Sequence, residues 1–312
     1  MRLRSFSTAI LAFAAMAVAF NPPLHRMEIK QSPPAPASAP APSPVPSLNP
    51  ARLAIRSSYA LVWDAAQKRE LYSKGADTVT PIASITKLMT AMVVLDAEQP
   101  LGEPIKIEQE DVDTLRNSLS RLPVGWVLTR GDLLQLALMS SENRAAHALA
   151  RMYPGGKEAC VAAMNRKAAA IGLAHTRFAD SSGLNAQNVS TARDLARMVE
   201  EAGRYSIIRA ITTTAQYEVR AISPPRSRLF GNSNGLVRNP EWPITLSKTG
   251  YISDSGFCLV MEAQLASRPV IMVFLDAAGK ESRFGDANRV RAWLEPAFSL
   301  AQNHKAQGHP PA

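Results

Sequence analysis

The sequence predicts an α+β fold in which one antiparallel sheet is flanked and interrupted by helices. Strand-like runs rich in apolar and β-branched residues lie over residues 58–73 and again over residues 244–275. The stretch between them has helical periodicity instead. Strands at both ends with helices between them are typical of this class, because the two groups of strands must pair to bury their apolar faces. A chain of 312 residues is long enough for a sizeable core.

The first 50 residues differ in composition from the rest. Arg2 and Arg4 precede an apolar run over residues 9–20, and small residues near its end suit a cleavage site. This pattern predicts a secretory signal peptide over residues 1–19, with an uncleaved N-terminal anchor as the alternative. Residues 20–50 are rich in Pro, Ala and Ser, which favours an extended tether. We therefore expect a periplasmic protein without a stable membrane span, either soluble or loosely held at the inner membrane.

The folded domain is expected over residues 51–301 and begins with a β-hairpin. Its two strands are predicted over residues 58–64 and 70–73, joined by a short turn. An apolar, helix-forming run then extends from Pro81 to residue 95. Because proline is favoured in the first turn of a helix, the sequence predicts a buried helix that begins at Pro81.

Caps and terminating glycines predict the later helices. Thr129 and Asp132 form a capping box ahead of an apolar run that ends at Met139. Polar residues 140–143 interrupt the run before a helical pattern resumes at residue 145. The remaining predicted elements are helices over 157–171, 191–203 and 286–300, strands over 244–249, 256–262 and 269–275, and a flexible tail over 302–312.

Charge and cysteine content exclude several function classes. The formal net charge is +9, but no basic run alternates with aromatic residues, so nucleic acid is not expected as a partner. Cys160 and Cys258 are the only cysteines, and neither has a Cys or His at metal-ligand spacing, so no metal site is indicated. We expect two buried free thiols, although export would permit a disulfide between them.

The first candidate for chemistry is the Ser84-x-x-Lys87 pair at the start of the predicted helix. Residues three apart share one helix face, with Cβ atoms about 5–6 Å apart. A serine hydroxyl becomes a nucleophile when a base takes its proton, and a desolvated neutral lysine can be that base. Burial beside a second cation, Lys248, is expected to lower the pKa of Lys87. The pair occurs by chance in many chains, so alone it carries little weight.

Two further motifs follow along the chain. Ser141 and Asn143 lie in the polar interruption, where a hydroxyl and a carboxamide can shuttle a proton and hold a peptide amide; an ordinary turn would favour the same residues. Lys248, Thr249 and Gly250 end a predicted strand. They offer a charge for a carboxylate, a hydroxyl, and space for a substrate backbone, although a solvated strand end is the plainer interpretation.

The three motifs, in this order, resemble the signature of the penicillin-recognising serine enzymes. Over about residues 55–300 the chain is similar to the D-alanyl-D-alanine carboxypeptidase/endopeptidase family of low-molecular-mass penicillin-binding proteins, and to its endopeptidase branch in particular. The resemblance implies the fold of the β-lactamases and transpeptidases. The segments that carry it are Pro81-Ile-Ala-Ser-Ile-Thr-Lys-Leu-Met-Thr-Ala-Met, Leu136-Ala-Leu-Met-Ser-Ser-Glu-Asn-Arg-Ala-Ala, Asn188-Val-Ser-Thr-Ala-Arg-Asp-Leu and Lys248-Thr-Gly.

The resemblance also implies the catalytic roles. Ser84 would be the acyl-enzyme nucleophile, Lys87 its base, and Ser141 the hydroxyl that relays a proton toward the leaving amine. The backbone N–H groups of Ser84 and Tyr251 would form the oxyanion hole. No cofactor is expected for this chemistry.

The binding roles follow in the same way. Asn143 would bind the substrate amide, and Lys248, Thr249 and Gly250 would face the carboxylate end of the substrate. The implied partners are the cross-linked peptides of peptidoglycan, with β-lactam antibiotics as covalent inhibitors. The implied reaction is hydrolysis of D-alanyl-diaminopimelyl cross-links, with removal of a terminal D-alanine as the alternative.

Two positions depart from the family pattern. Arg144 stands where many relatives carry Asp, and Ser233 stands where carboxypeptidases place an arginine. Without that fixed cation, and without room for the C-terminal β-domain that the carboxypeptidases often carry, the chain favours the open site of an endopeptidase.

Two other functions use the same fold. A β-lactamase needs a carboxylate that activates the deacylating water, commonly in a Glu-x-x-Leu-Asn segment. None occurs between Asn143 and Lys248, where the chain has Asp180-Ser-Ser-Gly-Leu-Asn185 instead. A wall-binding module that has lost catalysis is the second alternative, and the intact motifs argue against it.

Overall fold

The computed structural model describes residues 48–306, and its fold is α+β, as predicted. The predicted signal peptide, the tether up to residue 47 and residues 307–312 lie outside this range. The strands are β1 (Tyr59–Asp64), β2 (Arg69–Lys74), β3 (Thr80–Pro81), β4 (Pro104–Lys106), β5 (Val127–Thr129), β6 (Val189–Ser190), β7 (Gln216–Arg220), β8 (Ser227–Gly231), β9 (Ile244–Ile252), β10 (Gly256–Leu265) and β11 (Arg268–Ala277). The helices are α1 (Thr86–Asp96), α2 (Arg130–Met139), α3 (Asn143–Arg151), α4 (Gly156–Ala170), α5 (Ala192–Ala202), α6 (Ser206–Thr212) and α7 (Ser282–Ala306).

One antiparallel sheet organises the domain, with strand order β2-β1-β11-β10-β9. The first strand pairs with the last, so that Tyr59 lies opposite Leu275. This pairing confirms the expectation that strands from the two ends of the domain would meet. β9 is an edge strand, which leaves its outer side free to contact the short 3₁₀ turn at Ala83–Ile85.

The sheet separates two apolar cores because side chains alternate between its faces. On one face Val62 and Phe274 pack with Phe298 of α7. On the other face Leu61 and Val273 pack with a larger helical layer that includes α1 and α5. The helical layer therefore holds Ser84-x-x-Lys87 and Ser141-x-Asn143 against the sheet. The edge strand β9 carries Lys248-Thr249-Gly250.

The prediction that a helix begins at Pro81 was wrong. Pro81 ends the short strand β3, where it pairs with Val189, and the N–H of Ile82 donates to the carbonyl of Asn188 at 3.0 Å. Proline is tolerated there because a strand of an isolated two-stranded ladder does not need every N–H. Ala83 has φ +47, which interrupts helical geometry, so Ser84 lies in the 3₁₀ turn and α1 begins only at Thr86.

The other predicted elements are confirmed, with small shifts at their ends. Thr129 caps α2 by accepting a hydrogen bond from the N–H of Asp132, and Thr191 caps α5. The last helix reaches Ala306, so the first part of the predicted tail is helical. The hairpin of β7 and β8 was not predicted. Cys160 and Cys258 are both buried and free, as expected. Within residues 48–306, no helix combines the length and apolar character needed to cross a membrane.

Candidate active site

The three sequence motifs meet in one cleft. Ser84 lies on the 3₁₀ turn before α1, and Ser141 to Asn143 occupy the break between α2 and α3. Lys248 to Gly250 lie on the edge strand β9. The fold therefore brings together residues that are far apart in the sequence.

Lys87 is the centre of this site. It is 1% exposed, and its Nζ lies 2.7 Å from Ser84 Oγ, 2.7 Å from Asn143 Oδ1 and 2.6 Å from the carbonyl oxygen of Ser182. A neutral amine has two protons, which the two carbonyl oxygens can accept. Its lone pair is then left for the hydroxyl proton of Ser84.

Burial lowers the pKa of Lys87 to about 7, because desolvation disfavours the ammonium form, while Asp180 and Glu142 act in the opposite direction. The expected lowering of the Lys87 pKa is confirmed, and desolvation is its largest cause. Lys248 is also buried, and its pKa is lowered first by desolvation and then by repulsion from Lys87. Near neutral pH, Lys87 can therefore exist as the free amine.

Lys248 connects the second and third motifs. It is 1% exposed, and its Nζ donates to Ser141 Oγ at 2.9 Å and to the carbonyl of Thr249 at 2.8 Å. Ser141 has φ +64, a conformation that L residues seldom adopt. In this conformation its hydroxyl accepts the hydrogen bond from Lys248. Thr249 Oγ1 donates to Ser233 Oγ at 2.7 Å, so Ser233 lies beside the third motif.

Gly250 allows β9 to lie directly against the turn that carries Ser84. A Cβ at this position would lie 2.9 Å from the carbonyl oxygen of Ile82 and 3.1 Å from the backbone nitrogen of Ser84. The next residue, Tyr251, is exposed, and its ring stacks on Phe257 with centroids 4.2 Å apart. The backbone N–H of Ser84 is thus placed beside the strand that continues into Tyr251.

The segment 180–185 supplies a contact that the sequence analysis missed. The carboxylate of Asp180 accepts hydrogen bonds from the N–H groups of Ser182 at 2.7 Å, Gly183 at 2.5 Å and Asn185 at 2.7 Å. These bonds fix the carbonyl of Ser182 against Lys87. A backbone carbonyl has no residue-specific signature, although the Asp-Ser-Ser-Gly pattern does indicate a tight turn.

Gly183 is the residue of this segment that tolerates substitution least. It has φ +84, and a Cβ would lie 1.9 Å from the carbonyl oxygen of Ala83 and 2.8 Å from the nitrogen of Ser84.

We expect Gly183→Ala to lower the free energy of unfolding by about 3 kcal/mol and to displace Ser84. Urea denaturation and penicillin labelling measure the two effects. Gly102→Ala is the matched control, because nothing lies within 4 Å of a Cβ there. Equal stability of the two variants would contradict this account.

A loop over residues 113–118 holds the remaining side of the site. Asp113 accepts from the N–H groups of Leu115 at 2.8 Å, Arg116 at 3.1 Å and Ser118 at 2.8 Å, which closes the loop. Asn143 Nδ2 then donates to Ser118 Oγ at 2.9 Å, which turns the amide oxygen of Asn143 toward Lys87. The sequence analysis did not identify this loop, because nothing in its composition departs from an ordinary turn.

Among residues 48–306, no group of three or more His, Cys, Asp or Glu side chains is arranged to hold a metal ion. The groups that meet in the site include the hydroxyls of Ser84 and Ser141, the amines of Lys87 and Lys248, and the carboxamide of Asn143.

Comparison with known proteins identifies the family. The peptidase S11 family, D-alanyl-D-alanine carboxypeptidase, matches residues 46–279. The D-alanyl-D-alanine endopeptidase of Pseudomonas aeruginosa is 47% identical over 246 residues, which are 79% of each chain. That of Escherichia coli is 42% identical over 258 residues, 81% of this chain and 83% of the relative.

Solved structures give the same result. The Streptomyces K15 DD-transpeptidase superposes with a TM-score of 0.72 at 28% identity and covers 78% of this chain and 98% of its own. Penicillin-binding protein D2 from Listeria monocytogenes, in its ampicillin-bound form, gives a TM-score of 0.65 at 25% identity, over 77% of this chain and 98% of its own. The chain therefore belongs to the peptidase S11 family of D-alanyl-D-alanine carboxypeptidases and is a serine DD-peptidase.

Proposed function

We propose that this protein is a periplasmic DD-endopeptidase that hydrolyses D-alanyl-diaminopimelyl cross-links in peptidoglycan. The observation that carries the proposal is the contact between Ser84 Oγ and Lys87 Nζ at 2.7 Å, with two carbonyl oxygens placed to accept both protons of the neutral amine. The signal-like pattern over residues 1–19 supports the periplasmic location.

Acylation begins when Ser84 Oγ attacks the D-alanyl carbonyl carbon while Lys87 takes the hydroxyl proton. The negative charge that develops on the carbonyl oxygen is stabilised by the N–H groups of Ser84 and Tyr251. Ser141 gives its hydroxyl proton to the amine as the amide bond breaks and takes a proton from Lys248, which is hydrogen-bonded to it. Lys87 keeps the proton of Ser84 until deacylation. The leaving strand departs with a free amine, and the D-alanyl group remains as an ester on Ser84. Water then hydrolyses that ester by the reverse sequence of proton transfers.

Binding of the substrate uses the groups that line the same cleft. Asn143 Nδ2 is bonded to Ser118 and can exchange that partner for a substrate carbonyl, while its Oδ1 continues to hold Lys87. Lys248, Thr249 and Gly250 lie on the edge strand along which a peptide can extend. β-Lactams, which mimic the acyl-D-alanine end, are expected to occupy the same positions and acylate Ser84.

A β-lactamase function is disfavoured by the state of the nearby carboxylates. Both oxygens of Asp180 accept backbone N–H groups, and Glu142 accepts from Ser120 Oγ at 2.6 Å. Each carboxylate is thus committed to holding a loop. Neither is positioned by these bonds to activate a deacylating water, so acyl-enzymes should persist.

Two observations favour endopeptidase over carboxypeptidase activity. The relatives from P. aeruginosa and E. coli, at 47% and 42% identity, are endopeptidases by name. Thr249 also bonds to the neutral Ser233, where carboxypeptidases place a cation. A site without that cation should select less strongly for a compact, free D-alanine carboxylate.

We expect the protein to split cross-linked muropeptide dimers and to trim pentapeptide monomers slowly or not at all. The measurement is a digest that contains both substrates, with products resolved by liquid chromatography and identified by mass. Ser84→Ala is the control for background hydrolysis. Intact dimers beside fully trimmed pentapeptides would make this protein a carboxypeptidase.

A further inference from the structure

Three guanidinium groups cluster at the segment 120–126, which is bonded to Glu142 beside the site. One of them, Arg121, belongs to the segment itself. Arg144 Nη1 donates to the carbonyl of Leu122 at 2.8 Å, and Arg121 Nη1 donates to the carbonyl of Leu229 at 3.3 Å. Arg228 donates to the carbonyl of Arg121. In the described part of the chain, none of these three side chains has a carboxylate within 4.0 Å, whereas Arg193, Arg209 and Arg268 each pair with a carboxylate. We call Arg121, Arg144 and Arg228 the rim arginines.

Two of the rim arginines are held in place by aromatic rings. The guanidinium carbon of Arg121 lies 4.4 Å from the centroid of Phe230, and that of Arg228 lies 5.7 Å from the centroid of Trp126. Both arginines are exposed, whereas Phe230 and Trp126 are buried. Stacking and carbonyl bonds fix the planes of these cations before any ligand arrives, which reduces the entropy lost on binding an anion.

The one carboxylate bonded to this segment does not neutralise its surface. Glu142 is 8% exposed and accepts hydrogen bonds from Ser120 Oγ at 2.6 Å and from the N–H of Arg121 at 3.2 Å. The carboxylate of Glu142 therefore points into the loop and away from the solvent-exposed surface. The exposed side of the segment therefore presents an excess of positive charge.

The rim arginines lie on a particular side of the site. Glu142, which holds their segment, is the residue between Ser141 and Asn143. The strand that carries Arg228 leads directly to Ser233, the partner of Thr249. In the proposed mechanism Ser141 protonates the leaving amine and Thr249 faces the end of the substrate beyond the cut. Two connections, through Glu142 and through the strand that leads to Ser233, therefore join the rim arginines to the side of the site that is expected to face the leaving strand.

We propose that the rim arginines bind carboxylates of the leaving peptide strand in a cross-linked substrate. This inference rests on the proposed function. The α-carboxylate beside the released amine is common to a diaminopimelyl residue and to a terminal D-alanine, and it is the group that Lys248 and Thr249 are expected to face. The rest of the diaminopimelyl peptide carries further carboxylates, which a single D-alanine leaving group lacks. Guanidinium groups pair with carboxylates through paired N–H donors, so contacts of these further carboxylates with the rim arginines favour the cross-linked substrate.

Direct binding tests the inference separately from turnover. In a Ser84→Ala background, the dissociation constant of a purified cross-linked dimer is measured by calorimetry with and without Arg121→Gln plus Arg228→Gln. We expect the double substitution to weaken dimer binding about tenfold and to reduce its dependence on salt, because two partly screened ion pairs are lost. Arg166→Gln plus Arg177→Gln is the matched control, since it removes two exposed guanidinium groups elsewhere. Arg121→Lys plus Arg228→Lys should restore part of the affinity.

In turnover, the same double variant should raise KM for the dimer while kcat changes less than twofold. Dimer affinity that is unchanged by the double glutamine variant at the rim, or weakened equally by Arg166→Gln plus Arg177→Gln, would overturn the inference. So would a parallel loss of penicillin labelling, which would indicate a structural role. Wild-type protein that trims pentapeptides but leaves dimers intact would instead refute the proposed function, whatever the binding result.

Discussion

Replacement of Ser84 by alanine is expected to abolish covalent labelling by a fluorescent penicillin and to reduce peptide hydrolysis more than about 10³-fold. Among the described residues, Ser84 provides the only hydroxyl that is hydrogen-bonded to the Nζ of Lys87, so no substitute nucleophile is in place. In the wild-type protein the adduct should last for minutes or longer, because both nearby carboxylates are occupied by loop contacts.

Mass spectrometry of a tryptic digest measures the result. The mass increase should lie on the peptide that contains Ser84, and Ser58→Ala on the exposed start of the hairpin should label like the wild type. A label that survives in Ser84→Ala, or one that maps to another peptide, would mean that the nucleophile has been assigned to the wrong residue.

The second large effect is expected from Lys87→Arg. A guanidinium remains protonated at all accessible pH values, so it cannot take the proton of Ser84. General-base catalysis contributes about 10²–10⁴-fold, and the acylation rate should fall by that factor. Lys68→Arg is the control, because Lys68 is exposed and pairs only with Glu200 at 2.7 Å. Acylation of Lys87→Arg at a near wild-type rate would exclude Lys87 as the base.

The pH dependence of the wild-type protein gives an independent measurement. The pKa of Lys87 is lowered to about 7, and the neutral amine is the active form. Acylation should therefore rise with pH through about 7 and reach a plateau above it. Each pH unit below the pKa removes a factor of about ten, so the rate at pH 5 should be about a hundredfold below the plateau. A rate that is flat between pH 5 and 8 would contradict the assignment.

The sequence predicted those parts of the fold that have local causes. The caps at Thr129 and Thr191 act over three residues, so α2 and α5 were found at their correct starts. Pro81 was misplaced because its conformation is set by pairing with Val189, a distant residue. The hairpin of β7 and β8 was missed for a similar reason, since both strands are largely polar and only Val219 and Phe230 are buried.

The same distinction separates the site residues that the sequence predicted from those that it did not. The motif residues were predicted because each needs a particular side chain. The carbonyl of Ser182 and the hydroxyl of Ser118 were not, because their importance depends on where the backbone places them. Only Gly183 could have given a signal, as the residue that lets the two turns touch.

The pairing of the first strand with the last has a consequence for folding kinetics. β1 lies between β2 and β11, and Asp286 in α7 accepts hydrogen bonds from Arg56 and Ser57, the latter 229 residues away in the chain. The central pair of the sheet therefore cannot form until the end of the domain has emerged from the ribosome or the translocation channel. Contacts of such long sequence separation close large loops and slow the folding step. Until then β1 and β2 remain a hairpin without the rest of the sheet.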